Sequence, residues 1–275
     1  MNYAGGMAAR ANRGGARSVC DPQVAACGIA VMAKASIAGR TKTRLVPALD
    51  YGQAAAFNTA FLKDVAENLL EVAQRRSVAG YMAFGPPGSE AFFREILPLQ
   101  VEPFESWFPA FGDCLLAAVV ELFKRGHRGA IVLNSDSPTL PTSLVVEAVD
   151  VLAQPGERAV LGPAIDGGYY LLGLKHAHWR MFEDIEWSTS RVAAQSIERA
   201  RELGLEVHML APWYDVDDSH SLRILHGELI GGRPFNQALK PYSAFHTLKL
   251  LRSLRWTADQ ADRLGALAAI ERAVS

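Results

Sequence analysis

Cysteine is scarce in this chain of 275 residues: Cys20, Cys27 and Cys114 are an odd number and form no CxxC pair. That argues against a disulfide framework or a cysteine-built zinc site, and a reducing compartment, the cytoplasm, is the simpler expectation. A dominant charge is also missing. Lys and Arg total 28 against 29 Asp and Glu, a formal net charge of −1, so no overall field draws in nucleic acid. No apolar run reaches the length of a membrane span, and no internal repeat is visible. What is present is ordinary globular material: 49% hydrophobic and 21% charged residues, enough for one large α/β domain or two small ones without staples.

The chain divides by composition. Residues 1–27 are rich in Gly, Ala and Arg, with Arg10, Arg13 and Arg17 against the single acid Asp21. They lack the continuous apolar stretch of a secretory signal and read as a disordered leader with a faint transit-peptide character. From Gly28 to about Ile230 apolar strands alternate with amphipathic helices, which implies βαβ units and a mostly parallel sheet with helices on both faces. Strands are expected at 28–33, 78–84, 130–133, 159–162, 169–174 and 205–210. A helix with Phe57, Phe61, Val65 and Leu69 on one face spans about 51–73. The close strand pair at 159–174 is where the alternation would break. Between Glu228 and Asp259 there is no acid, while Arg233, Lys240, Lys249, Arg252 and Arg255 are present. With Leu248, Leu251 and Trp256 they suit a helix on a membrane surface or a partner. Packing back on the domain with the charges in water is the commoner outcome.

Four segments can carry chemistry. In Ala130-Ile131-Val132-Leu133-Asn134-Ser135-Asp136-Ser137-Pro138, a buried strand stops abruptly and leaves one carboxylate at its carboxyl end, where ligands bind in open α/β sheets. Asp136 there suits a divalent metal or a ribose hydroxyl, although capping the helix near Thr142 is the better reading of this segment alone. The loop after the first strand, residues 34–45, places Lys34, Arg40, Lys42 and Arg44 among Gly39 and small residues. It is neither a GxxxxGK[ST] nor a GxGxxG loop, yet it suits a diphosphate through backbone N–H groups and charge-assisted hydrogen bonds. Asp166-Gly167-Gly168-Tyr169 offers an acid beside a tight turn, fit for a general base or for an ordinary hairpin. Trp213-Tyr214-Asp215-Val216-Asp217-Asp218 is a second acid cluster after a strand. Asp215 and Asp217 point to one side of an extended segment and could face one cation; alternatively Asp217 or Asp218 caps the next helix.

Together MAKASIAGRTKTRL, NSDSPTLP, GPAIDGGYYLLGL, IEWSTS and WYDVDD, in this order over about Gly28 to Leu229, resemble a bacterial family of GT-A-type glycosyltransferase-like proteins. These belong to the nucleotide-diphospho-sugar transferase superfamily; some members are assigned to arsenosugar biosynthesis, and phospholactate guanylyltransferases are distant relatives. The resemblance implies a GT-A-like α/β fold, a nucleotide-sugar donor, a small-molecule or glycan acceptor and a divalent metal, Mg2+ or Mn2+. By position, Lys34, Arg40, Lys42 and Arg44 fall in the phosphate-holding loop. Asp136 falls where the Asp-x-Asp metal motif belongs, and Asp217, ahead of Asp215, would add a ligand. Asp166, Gly167, Gly168 and Tyr169 with Trp187, Ser188 and Thr189 would border the acceptor or sugar pocket, with Asp166 as the base.

Two departures stand out. Pro138 replaces the second acid of Asp-x-Asp, and the usual Gly-Asp-Leu-Gly is Gly112-Asp113-Cys114-Leu115. The expected activity is metal-dependent sugar transfer. Nucleotidyl transfer to a phosphorylated small molecule and a non-catalytic nucleotide-binding domain are the competitors. Base, sugar, acceptor and oligomeric state are not legible.

Overall fold

The computed structural model describes residues 24–46 and 48–254. Cys20, Arg255 and Trp256, like most of the leader, lie outside these residues. Seven strands, β1 (Cys27–Lys34), β2 (Val78–Gly85), β3 (Glu102–Glu105), β4 (Gly129–Asn134), β5 (Arg158–Pro163), β6 (Tyr169–Leu174) and β7 (Glu206–Met209), form one sheet in the order β3-β2-β1-β4-β6-β5-β7. All neighbours are parallel except β6, which runs antiparallel to both β4 and β5. The alternation therefore breaks at the close pair, as its short connection requires: a parallel crossover needs a dozen or more residues.

Among the described residues the α-helices are α1 (Tyr51–Arg75), α2 (Glu90–Ile96), α3 (Phe111–Lys124), α4 (Thr142–Ala153), α5 (Val192–Glu202), α6 (Ser219–Leu229) and α7 (Phe245–Ser253). Successive strand residues point to opposite faces, and the sheet accordingly separates two cores. Ile29, Val31, Ile131 and Leu133 join α1, α4, α6 and α7 on one face. Ala30, Ala130 and Val132 join α3 and α5 on the other. This is the mostly parallel, GT-A-like sheet with helices on both faces that the motifs implied.

β1 starts at Cys27, because Ala26 and Cys27 are already pinned: their N–H groups donate to Ser77. β3 was not expected at all; four residues including Pro103 are too few to show a period. Past Ile230 the described residues pack on the same core. Phe235, Leu239, Leu250 and Leu254 lie against it, and α7 is seated on α1 by Asp64. That carboxylate accepts from His246 N–H (2.8 Å), Thr247 N–H (2.8 Å) and Thr247 Oγ1 (2.5 Å). Leu251 and Thr247 of α7 are thus turned inward.

Candidate functional site

The chain leaves β1 for β2 on one side and later places β4 on the other. The carboxyl ends of β1 and β4 therefore diverge, which is where an open α/β sheet forms its ligand crevice. A cleft of about 720 Å³ opens there. Because β6 is antiparallel, its amino end, with the Asp166 turn, reaches the same rim. Of the expected site residues, Lys34, Arg40, Lys42, Arg44, Asp136, Asp166, Gly168, Tyr169, Trp187, Ser188, Thr189 and Asp217 line the cleft.

Thr41 fastens the basic loop. Its hydroxyl accepts from Ile37 N–H (3.0 Å) and donates to the Ala35 carbonyl (3.1 Å). Asn58 of α1 holds the loop's start through the Lys34 carbonyl and Ser36 Oγ. This leaves Lys42 in the left-handed region, φ 53°, an uncommon conformation for a non-glycine residue. Its ammonium enters the acidic side of the cleft, 2.7 Å from Asp136 Oδ1 and 2.7 Å from Asp217 Oδ1, and donates to the Val216 carbonyl at 2.8 Å. Arg44 meets Asp217 from solvent at 2.5 Å.

Asp136 and Asp217 lie 81 residues apart in the sequence, yet they converge on one ammonium. The backbone explains it: Val216 N–H donates to the Asp136 carbonyl at 2.8 Å. Asp218, not Asp217, caps α6, accepting from Ser221 N–H at 2.8 Å, and so leaves Asp217 to the cleft. Beyond β5 and β7 the chain continues to pair, with Trp213 N–H on the Pro163 carbonyl and Ile165 N–H on the Trp213 carbonyl, drawing Asp215 toward Asp166. The Asp215 carboxyl is pushed up to about 7, by burial first and then by the carboxylates of Asp166, Asp217 and Asp136. Burial alone would lower the Lys42 pKa, but the Asp136 and Asp217 carboxylates raise it above its ordinary value, so it stays a cation.

Asp166 is exposed, and its Oδ1 accepts from Gly168 N–H at 2.8 Å. Gly167 does not line the cleft. With φ +92°, its position has no room for a side chain: a Cβ would lie 2.2 Å from the Ser190 carbonyl oxygen. Its part is to press the 188–190 segment against the turn. Ser188, at φ 65°, is a second strained residue on the cleft wall; such outliers gather at functional sites.

Several cleft residues fall outside the four segments. Trp107 closes over Gly85, where a Cβ would sit 2.1 Å from Trp107 Cε3. Phe111 meets the Trp187 ring edge-on at 5.3 Å, and Tyr169 does so at 6.5 Å. Asn134 Oδ1 and Tyr169 Oη are buried without hydrogen-bond partners among the described residues. Trp107 and Phe111 follow the unforeseen β3, and the one signal for them is the aromatic content of Trp107-Phe108-Pro109-Ala110-Phe111. Asp113 is exposed and lies off the cleft wall.

Fold and crevice define an α/β protein with a mostly parallel seven-stranded sheet and a ligand-sized cleft at the carboxyl ends of β1 and β4. Residues 68–189, from α1 through the Trp187-Ser188-Thr189 loop, match the profile of a family described as uncharacterized proteins conserved in bacteria, DUF2064. A Desulfovibrio desulfuricans G20 protein, provisionally described as a nucleotide-diphospho-sugar transferase, has a similar structure. Its TM-score is 0.71 at 24% identity, over 88% of this chain and 98% of that one. A CMP:2-keto-3-deoxy-manno-octonic acid synthetase complexed with CTP (13% identity, 75% and 99% covered) scores 0.49. A cytidylyltransferase from Leptospira borgpetersenii serovar Hardjo-bovis (12%, 83% and 94%) scores 0.48. No curated protein matches the sequence.

Proposed function

We propose that the protein is a metal-dependent transferase that takes a nucleoside-diphosphate sugar and passes the sugar to an acceptor hydroxyl. The observation that supports it best is the convergence of Asp136 and Asp217 on one cation-sized point at the β1/β4 crevice, beside four basic residues. The donor set suits a hard divalent cation: oxygen ligands only, with the carboxyl groups of Asp166 and Asp215 close by. Pro138 removes the adjacent acid, and Asp217 supplies the second carboxylate from a distant loop.

Mg2+ or Mn2+ held by Asp136 and Asp217 would neutralise the leaving diphosphate. Lys34 and Arg40, exposed and without ion pairs among the described residues, are placed for its oxygens, as is Arg44. Lys42 bridges the carboxylates in the free chain and is within reach of the same phosphates, where its charge favours the departing group. Asp166 takes the acceptor's proton, and Tyr169, Trp187, Ser188 and Thr189 frame the acceptor. A cleft of this volume is of the size that holds small organic ligands.

Nucleotidyl transfer remains the rival reading, because the same basic loop would hold a triphosphate. Incubating the protein with nucleotide sugars and with nucleoside triphosphates, with and without Mn2+, separates the two. Nucleoside diphosphate release supports sugar transfer, and pyrophosphate release supports the rival. Asp136→Asn and Asp217→Asn should each abolish the metal-dependent turnover. Full activity in Asp136→Asn would overturn both readings, and tight nucleotide binding with no turnover across a broad acceptor panel would leave a binding domain.

A further inference from the structure

A second group of donors lies at the opposite end of the sheet. The antiparallel register of β5 and β6 pairs Ala159 with Leu174. Carried two residues further, it sets Glu157 across from His176. His178 follows after Ala177 and turns toward the same carboxylate. His176 Nδ1 is 2.9 Å from Glu157 Oε2, and His178 Nε2 stops 4.0 Å from the same oxygen. The two imidazoles stand nearly perpendicular, 77° apart, with centroids 6.2 Å apart. One ligand atom from each of the three residues lies within 4.8 Å of the others.

His178 Nε2 is itself buried and has no hydrogen-bond partner among the described residues. A buried ring nitrogen normally has one. Ligands about 2.1 Å from a tetrahedral metal stand about 3.4 Å apart, and the two nitrogen–oxygen separations fall either side of that value. Small side-chain shifts would equalise them. Lys175 and Arg158, the adjoining cations in sequence, are tied away: the Lys175 ammonium is held by the Gln154 and Gly156 carbonyls, and the Arg158 guanidinium by Gln154 Oε1 and the Pro155 carbonyl.

We propose that Glu157, His176 and His178 bind a transition-metal dication, Zn2+ above all, with water in the fourth position. Two imidazoles and one carboxylate are borderline donors that suit Zn2+ and disfavour Mg2+, so the site needs none of the cysteines. It is separate from the cleft by about 17 Å, the length of β6, and owes nothing to the transferase reading. Its effect is mechanical: the ion ties the start of β5 to the segment leaving β6 for the Trp179–Phe182 turn, whose Met181 and Phe182 are buried under α3 and α5. The metal replaces the proton that His176 presents to Glu157.

The other cluster of this kind, Asp64, Glu67 and His246, serves as a control. Asp64 there already accepts three hydrogen bonds from α7, and its oxygens are committed. The test is Zn2+ titrated into the full chain, in excess Mg2+ to occupy the cleft, and read by competition with a chromophoric chelator. One Zn2+ per chain should bind with micromolar affinity or better and raise the melting temperature. His176→Ala and His178→Ala should each weaken binding at least about tenfold and remove the thermal shift. Glu157→Gln should weaken it less, and His246→Ala should leave it unchanged. Melts without metal establish that every variant folds. Equal affinity in the His176→Ala/His178→Ala double variant, or no binding below about 100 µM, would overturn the site.

Discussion

Lys42 is a buried cation, its side chain 6% exposed, whose partners are two carboxylates 31% and 27% exposed. Lys42→Met leaves both without their common counter-charge. Breaking a fully buried pair costs about 3–5 kcal/mol; with this much solvent contact the loss should be about 1–3 kcal/mol. Chemical denaturation with and without Mn2+ checks it, and Mn2+ should restore more stability to Lys42→Met than to the natural chain, since the ammonium no longer competes. At Gly85 the expectation is the reverse, a functional loss with little change in stability. A methyl group there must push the half-exposed Trp107 ring out of the cleft wall, so Gly85→Ala should weaken nucleotide binding several-fold in a calorimetric titration. Of these residues, Asp136, Lys42 and Asp217 were visible in the sequence because each lies in the loop that follows a strand, and the loops at strand ends are where chemistry gathers. Trp107 and Phe111 were not, since only the tertiary approach of three loops turns them into a wall.

At the scale of elements, α7 depends on a single cap. Asp64 satisfies three donors at once, and burial raises its carboxyl above the usual range, so its ionised form is kept at a cost that those bonds offset. Asp64→Ala should destabilise the protein by about 3 kcal/mol, with amide exchange rising first over residues 245–253. Asp64→Asn should cost less at neutral pH: it retains an acceptor and carries no buried charge. The long helices and six of the seven strands were legible from periodicity and apolar runs. The direction of β6 was legible only as a break in alternation; the brevity of residues 164–168 decides it. β3 was invisible, because four residues with a proline carry no period and gain their pairing from β2.

For the molecule as a whole, the change in composition past Ile230 marks no break in packing. Phe235 packs on Trp213 and Tyr214 at 5.3 and 5.0 Å, and its N–H donates to Glu228. Glu228 in turn accepts from the buried Tyr214 hydroxyl, which accepts from Thr139. A chain ending at Ile230 should therefore lose cooperative unfolding or melt at a much lower temperature, since it uncovers two large aromatic rings and the face of α1. A melt of that truncation like that of the full chain would show residues 231–275 to be dispensable.

The sheet order has one more consequence. Its two outermost strands, β3 and β7, are only four residues long, and each bears exposed glutamate: Glu102 and Glu105 on one, Glu206 on the other. Pro103 also withholds an N–H from the β3 edge. A strand from another molecule would find few free backbone groups at either margin and would have to desolvate carboxylates to reach them. The sheet is therefore closed off at both of its described margins, and neither is a ready template for a strand from another copy.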